Sequence, residues 1–218
     1  MQHEFWHQRW QQNQIGFHQQ EVNQHLRRCW PDLQVNPKGR VFVPLCGKSK
    51  DMLWLLAMGH QVVGVELSPV AVESFFSENG LTPRMYRQGD FWVHEIDGLQ
   101  IFSGDFFALR PNDLGVVDAV YDRASLVALP PDMRIEYVLQ LSALLPPTAR
   151  ILLIAFDYLQ HEMPGPPFSV EIEEVERLFG HWCDVELLNS ENAPELNAHF
   201  KERGLSRMAE QSYRLTVR

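Results

Sequence analysis

GRVFVPLCGKSKDMLWLLAMGHQVVGVELS, residues 39–68, reads as strand, glycine turn, helix, strand, and then a glutamate where the second strand runs out. Val41–Leu45 is the predicted first strand, Cys46–Gly47–Lys48 the turn, and Ser49–Met58 a helix with Ser49 as N-cap and Gly59 as its stop. Gln61–Val65 is the second strand, delivering Glu66. Glu66 lies nineteen positions after Gly47, where a dinucleotide-type βαβ unit places the carboxylate that takes ribose hydroxyls. The further glycines that let backbone approach a pyrophosphate are replaced by Ser49 and Met52. A phosphate-binding P-loop fails as well, because its earlier glycine would fall at Phe42. What remains suits an adenosine cofactor without phosphates, of which S-adenosylmethionine is the common one. The plainer alternative is a βαβ unit whose strand-end carboxylate is merely solvated.

The chain's 218 residues suffice for one well-buried α/β domain, residues 1–218, and are short for two. Its longest strongly apolar stretch, Ile151–Phe156, is far too short to cross a bilayer, so no membrane partner is expected. The N-terminus carries His3 and Glu4 where a signal peptide would be basic, and the expected location is cytoplasmic. Nineteen basic against twenty-eight acidic residues give a net charge of −9, which argues against nucleic acid and for a small-molecule substrate. Cys29, Cys46 and Cys183 show neither disulfide nor zinc spacing and read as reduced thiols.

From residue 40 to about residue 185, strand-like and helix-like segments alternate, which implies a mostly parallel sheet with helices on both faces. Ser68–Pro69 opens a helix that runs to Asn79, with Gly80 as its stop. Leu99–Ser103, Val116–Tyr121 and Ala149–Phe156 are the next strands, the last preceded by a helix over Asp132–Leu145. Five parallel strands are expected. Val170–Phe179 is a further helix, and Asp184–Leu188 with Ser212–Val217 is an antiparallel pair at one edge. The rigid Met163–Phe168 segment and the loop between the last two strands read as coverings over the carboxyl ends of the strands, where open α/β sheets bind ligands.

His3–Glu4–Phe5–Trp6–His7 matches the H-E-x-x-H pattern of zinc peptidases, but it starts at the third residue with no scaffold before it. No metal site is expected there. An amphipathic helix with Phe5, Trp6 and Trp10 reads better, either as simple packing or as a lid in which Trp10 covers the cofactor and Phe17 lies against a flat acceptor. Asp105, after the third predicted strand, could pair with an adenine together with the next backbone amide, at Phe106; otherwise it is a turn residue. Arg123 ends the fourth predicted strand, where it could orient a cofactor carboxylate, hold an anionic acceptor, or pair with Asp122. No G-x-S-x-G elbow exists to carry hydrolase chemistry.

Five separated motifs in order then point to one family. They are Phe5–Trp6 with Trp10 and Phe17–His18–Gln19, the block from Arg40 to Lys48, Gly64–Ser68, Tyr121–Ala128 and Pro164–Phe168. Together they resemble thiopurine S-methyltransferase in its bacterial form, over nearly the whole chain. The resemblance implies a class I methyltransferase fold, Rossmann-like, with a seven-stranded sheet ordered 3-2-1-4-5-7-6 and the seventh strand antiparallel. It implies that Trp10, Leu45, Glu66 and Arg123 contact S-adenosylmethionine, that Asp105 and Phe106 lie at the adenine, and that Phe17 and Arg123 border the acceptor. Residues 1–35 would form a helical lid. Arg123 would be the catalytic residue, favouring the thiolate of a small aromatic or heterocyclic thiol, or of a selenium or tellurium compound, during in-line displacement. A monomer is expected. The rivals are a noncatalytic adenosyl-binding regulator on the same scaffold and a nicotinamide-dependent oxidoreductase.

Overall fold

A computed structural model describes residues 3–16, 18–192, 200 and 202–218. Along the chain its elements are α1 (His3–Gln11), α2 (Gln24–Cys29), β1 (Arg40–Val43), α3 (Asp51–Ala57), β2 (Gln61–Glu66), α4 (Pro69–Glu78), β3 (Arg84–Gln88), β4 (Phe91–Ile96), β5 (Leu99–Ser103), α5 (Pro111–Leu114), β6 (Ala119–Arg123), α6 (Pro131–Leu144), β7 (Arg150–Asp157), α7 (Ile172–Phe179), β8 (Cys183–Asn192) and β9 (Ala209–Val217). The strands form one sheet in the order β3-β4-β5-β2-β1-β6-β7-β9-β8. Its centre, β5-β2-β1-β6-β7, is parallel throughout. β9 runs antiparallel between β7 and β8.

This is the expected class I order with two strands more than the seven anticipated. β3 and β4 extend the sheet antiparallel beyond β5. Two-residue turns make them, Gly89–Asp90 and Asp97–Gly98, with Gly89 at φ 57° and Gly98 at φ 76° in the left-handed region that suits glycine. The edge strand β3 carries Arg84 and Arg87, the latter lying over the Trp92 ring of β4, and such charged cover discourages pairing with other chains.

Side chains alternate across the central strands and divide the core in two. Phe42, Val63, Val65, Val120, Ile151 and Leu153 pack on one face with Tyr137, Leu141, Val175 and Phe179 of α6 and α7. Val41, Val43, Val62, Tyr121, Leu152 and Ile154 pack on the other with Leu26, Met52, Leu55 and Phe75 of α2, α3 and α4. Each such fully buried large apolar side chain stabilises the fold by about 1.5–3 kcal/mol relative to exposure.

Several element boundaries differ from expectation: β1 ends at Val43 rather than Leu45, β8 runs on to Asn192, β9 starts at Ala209, and two further differences bear on the site. The fourth parallel strand begins at Ala119 rather than Val116, because Val116 is 75% exposed and the ladder to β1 starts where the Asp118 N–H meets the Arg40 carbonyl. Asp122 and Arg123 therefore lie in the strand, pointing to opposite faces. The helix after the glycine turn begins at Asp51, yet Ser49 still acts at its start, its Oγ accepting the Asp51 N–H at 3.2 Å. In register, Glu66 stands beside Ser103 and Arg123 beside Ile154, so the functional candidates gather at one end of the sheet.

Candidate active site

The carboxyl ends of the parallel strands open onto a cavity of 760 Å³. Leu45, Glu66, Asp105, Phe106 and Arg123 line it from the sheet side, and Trp10 from α1. Phe17, the seventh of the expected contacts, lies outside the described residues.

Local sequence explains how these groups are held. Leu45 (φ 43°) and Ala124 (φ 63°) turn the chain sharply just after β1 and β6 through backbone conformations uncommon for residues with a Cβ. The Ser125 hydroxyl donates to the Pro44 carbonyl at 2.8 Å and so ties the two turns together. Gly47 sits at φ 54°, and a Cβ there would meet Trp10 Cζ2 at 3.2 Å. The glycine thus serves the turn and the close approach of the Trp10 ring. On β2, a Cβ at Gly64 would stand 2.8 Å from Cys46 Sγ, so the glycine lets the turn fold down onto the sheet.

Glu66 is buried. Its Oε2 accepts the Gly47 N–H and its Oε1 the Ser68 N–H, both at 2.8 Å. Burial pushes its carboxyl up to about 7, against the lowering effect of those backbone donors. Each oxygen keeps a lone pair for a hydroxyl from the cavity. Asp105 accepts the Phe107 N–H at 2.9 Å, as a turn residue does, and His3 Nε2 lies 3.4 Å from its other oxygen. The Phe106 ring is only 1% exposed and stacks on Phe42 and Tyr137, so this residue offers the cavity mainly its backbone.

Asp122 does not serve Arg123. Its carboxylate accepts the Tyr137 hydroxyl at 2.7 Å and the Leu126 N–H at 3.2 Å on the α6 face, and burial pushes it up to about 6. Arg123 lines the cavity on the other face. Beneath it a second buried acid, Asp51, accepts the Tyr121 hydroxyl at 2.9 Å and the Asn23 N–H at 2.8 Å. Asn23 in turn caps α2 through the His25 and Leu26 N–H groups. Buried charge-assisted bonds thus fasten the N-terminal segment to the sheet.

Several cavity residues stand outside the site residues expected from the sequence. Arg9, Arg203, His18 and Glu210 line it from a helix, two loops and a late strand. Burial, then the nearby Arg203, lowers the Arg9 guanidinium from its usual range. Burial also lowers His18, with Lys48, Arg123 and Lys50 in the same sense and Glu78 opposing. Arg203 donates to the Pro166 carbonyl at 3.2 Å, and Pro166 and Pro167 close one side of the cavity, as expected of that rigid segment. Phe200 and Arg203 represent the late loop at the cavity; residues 193–199 and 201 lie outside the described residues.

A family model described as thiopurine S-methyltransferase matches residues 1–218. The chain belongs to this family. A relative of that name from Nitrosospira multiformis is 53% identical over 218 residues, covering all of this chain and 99% of the relative. Another, from Pseudomonas fluorescens, is 50% identical over 99% of both chains. Among solved structures, 1,6-didemethyltoxoflavin-N1-methyltransferase of Burkholderia thailandensis, with bound 1,6-didemethyltoxoflavin and S-adenosylhomocysteine, aligns with a TM-score of 0.61 at 16% identity over 97% of this chain and 86% of that one. That likeness shows the class I methyltransferase fold.

Membership makes the chain a methyltransferase with S-adenosylmethionine as its cofactor, and the regulator and oxidoreductase readings fall. The residues fit that cofactor. Glu66 offers two oxygens to a ribose, and Met52, where a pyrophosphate site needs glycine, is fully buried in the core. No helix among the described residues is long and apolar enough to cross a membrane.

Proposed function

We propose that this chain methylates the sulfur of small aromatic or heterocyclic thiols and thiones, thiopurines among them, and the corresponding selenium and tellurium compounds. The observation that carries the reading is a single cavity with the Glu66 carboxylate at the glycine turn, guanidinium groups of Arg9, Arg123 and Arg203 on its walls, and aromatic and sulfur side chains of Trp10, Met133 and Phe156 between them. Bound S-adenosylmethionine supplies an activated methyl group on a sulfonium. Glu66 holds the ribose hydroxyls, Leu45 and the Asp105–Phe106 backbone flank the nucleoside, and Trp10 closes over the glycine turn. Residues 1–35 act as a lid that excludes water, and Phe17 belongs to that lid. Arg123 is the catalytic residue: its charge favours the anionic form of an acceptor whose thiol would ionise near pH 8.5 unaided, so no dedicated strong base is required. Alignment of sulfur with methyl carries most of the rate, an effect worth roughly 7–11 kcal/mol in well-oriented systems.

The protein is a cytoplasmic monomer in this reading, a single domain acting on small molecules and not on nucleic acid or membranes. Acceptor profiling with methyl-labelled S-adenosylmethionine across thiols, selenols and metalloid oxyanions tests it. Label is expected on thiophenol-type and thiopurine acceptors. Binding of the cofactor without transfer to any sulfur or selenium acceptor would sink the proposal.

A further inference from the structure

Glu210, the second residue of β9, lines the cavity, and nothing in the reaction described above uses it. It is held from outside. His25 of α2, 1% exposed, places Nε2 3.0 Å from Glu210 Oε2. A carboxylate has no hydrogen to give, so the ring donates, and its Nδ1 is buried with no partner among the described residues. The ring therefore makes its polar contact through Nε2–H alone, and a buried histidine is spent on fixing one carboxylate that faces a ligand cavity.

Register places this carboxylate relative to Arg123. Arg123 stands beside Ile154 of β7, and Glu210 stands across from Phe156, two residues further along the same strand. All three strands are adjacent, and both side chains belong to the face that carries α2. Arg123 and Glu210 are thus about 10 Å apart across the sheet and about 7 Å along it at the backbone. Phe156 lies between them and also lines the cavity. A flat ring lying there has a cation toward one part of its edge and a carboxylate toward another. The sulfur of a neutral thione, the negative end of its C=S bond, matches the first. The ring N–H next to it matches the second, and as the sulfur takes the methyl group that proton passes to the carboxylate; a plain aryl thiol carries no such N–H.

We propose that Glu210, positioned by His25, recognises the ring N–H of heterocyclic thione acceptors and so sets a preference for them over aryl thiols. The assignment rests on the functional reading above. A carboxylate buried beside an unmatched ligand group loses its solvation without replacement, which is why one well-placed acceptor discriminates strongly.

Pyridine-2-thione, which has the N–H, and thiophenol, which lacks it, are the probes. The kcat/KM ratio of thione to thiophenol is measured for the wild type, Glu210→Gln and His25→Phe, together with the Kd of pyridine-2-thione for the S-adenosylhomocysteine complex. Glu210→Gln is expected to lower the ratio at least tenfold and weaken thione binding by a similar factor; His25→Phe is expected to lower the ratio severalfold. Either variant alone decides. An equal loss for both acceptors, an unchanged ratio, or a tenfold loss of S-adenosylhomocysteine affinity with the ratio intact overturns the assignment while leaving the functional reading standing. A wild-type protein that methylates neither probe overturns the functional reading, and the assignment with it.

Discussion

In the proposed reaction Glu66 and Arg123 act on opposite ends of the same methyl transfer, and their substitutions are expected to separate accordingly. Glu66 makes two hydrogen bonds to backbone N–H groups and retains lone pairs for ribose. Glu66→Ala is expected to weaken S-adenosylmethionine binding by at least about 1.5 kcal/mol, since a charged acceptor is lost to two hydroxyls and two buried N–H groups are orphaned. Calorimetric titration reads this directly, and an unchanged Kd in a folded variant removes Glu66 from the site. Arg123 lies at the end of β6 with its turn pinned by the Ser125–Pro44 hydrogen bond, so its placement survives substitution of the side chain. Arg123→Ala is expected to lower turnover more than it weakens cofactor binding. Arg123→Lys should restore only part of the loss, because a point charge does not reproduce the guanidinium fork. The deficit should be smallest for acceptors already ionised at the assay pH. Full turnover of the alanine variant at saturating cofactor with a thiol acceptor would deny Arg123 a catalytic role.

At the scale of elements, α1 and the glycine turn form one unit, because Trp10 rests on the space that Gly47 leaves empty. Trp10→Ala should keep the fold, whose two main core clusters do not include this ring, while exposing the cofactor. The expected result is a faster dissociation of S-adenosylhomocysteine in stopped flow, by about tenfold or more, equivalent to at least about 1.4 kcal/mol if association is unchanged; an unaltered rate would leave α1 as mere packing. The elements differ in how plainly the sequence announces them. The βαβ unit of β1, α3 and β2 is legible because glycine punctuation and strand-to-helix changes of period coincide within thirty residues. β3 and β4 are faint in the sequence although Gly89–Asp90 and Asp97–Gly98 are hairpin signals, since Arg84–Gln88 on the solvent edge lacks the apolar alternation of a half-buried strand. Ala119 rather than Val116 begins β6 because exposure, which depends on what packs nearby, outweighs β-propensity at Val116.

Across the whole molecule, the site was legible where chemistry sits at a strand end and illegible where distant loops converge. Glu66 and Arg123 follow from strand periodicity, whereas Arg9, His18, Arg203 and Glu210 meet only after the chain has folded, and no spacing links them. Folding also sets the protonation of the site. The Glu66 carboxyl rises from its ordinary 4.5 to about 7 on burial, so the ligand-free folded protein holds a proton there that the unfolded chain has already lost between those values. The sign follows: this group's contribution to stability is fully present below about 4.5 and is lost as pH rises through about 7. Asp122, raised to about 6 by burial, acts in the same sense on the opposite face. With Glu66 holding the ribose as proposed, cofactor binding runs the other way, because the hydroxyls need the ionised carboxylate and the complex is then expected to lower its pKa. On that reading, binding below about pH 7 releases a proton. S-adenosylhomocysteine is expected to bind about tenfold more tightly at about pH 8 than at about pH 6, with nearly one proton released per molecule bound at the lower pH. Titrations in two buffers of different ionisation enthalpy count that proton. Glu66→Gln, which cannot ionise, should flatten the dependence and abolish the release. A Glu66→Gln protein with the full tenfold change would place the titrating group elsewhere, with His18 beside Arg123 and Lys48 the next to test.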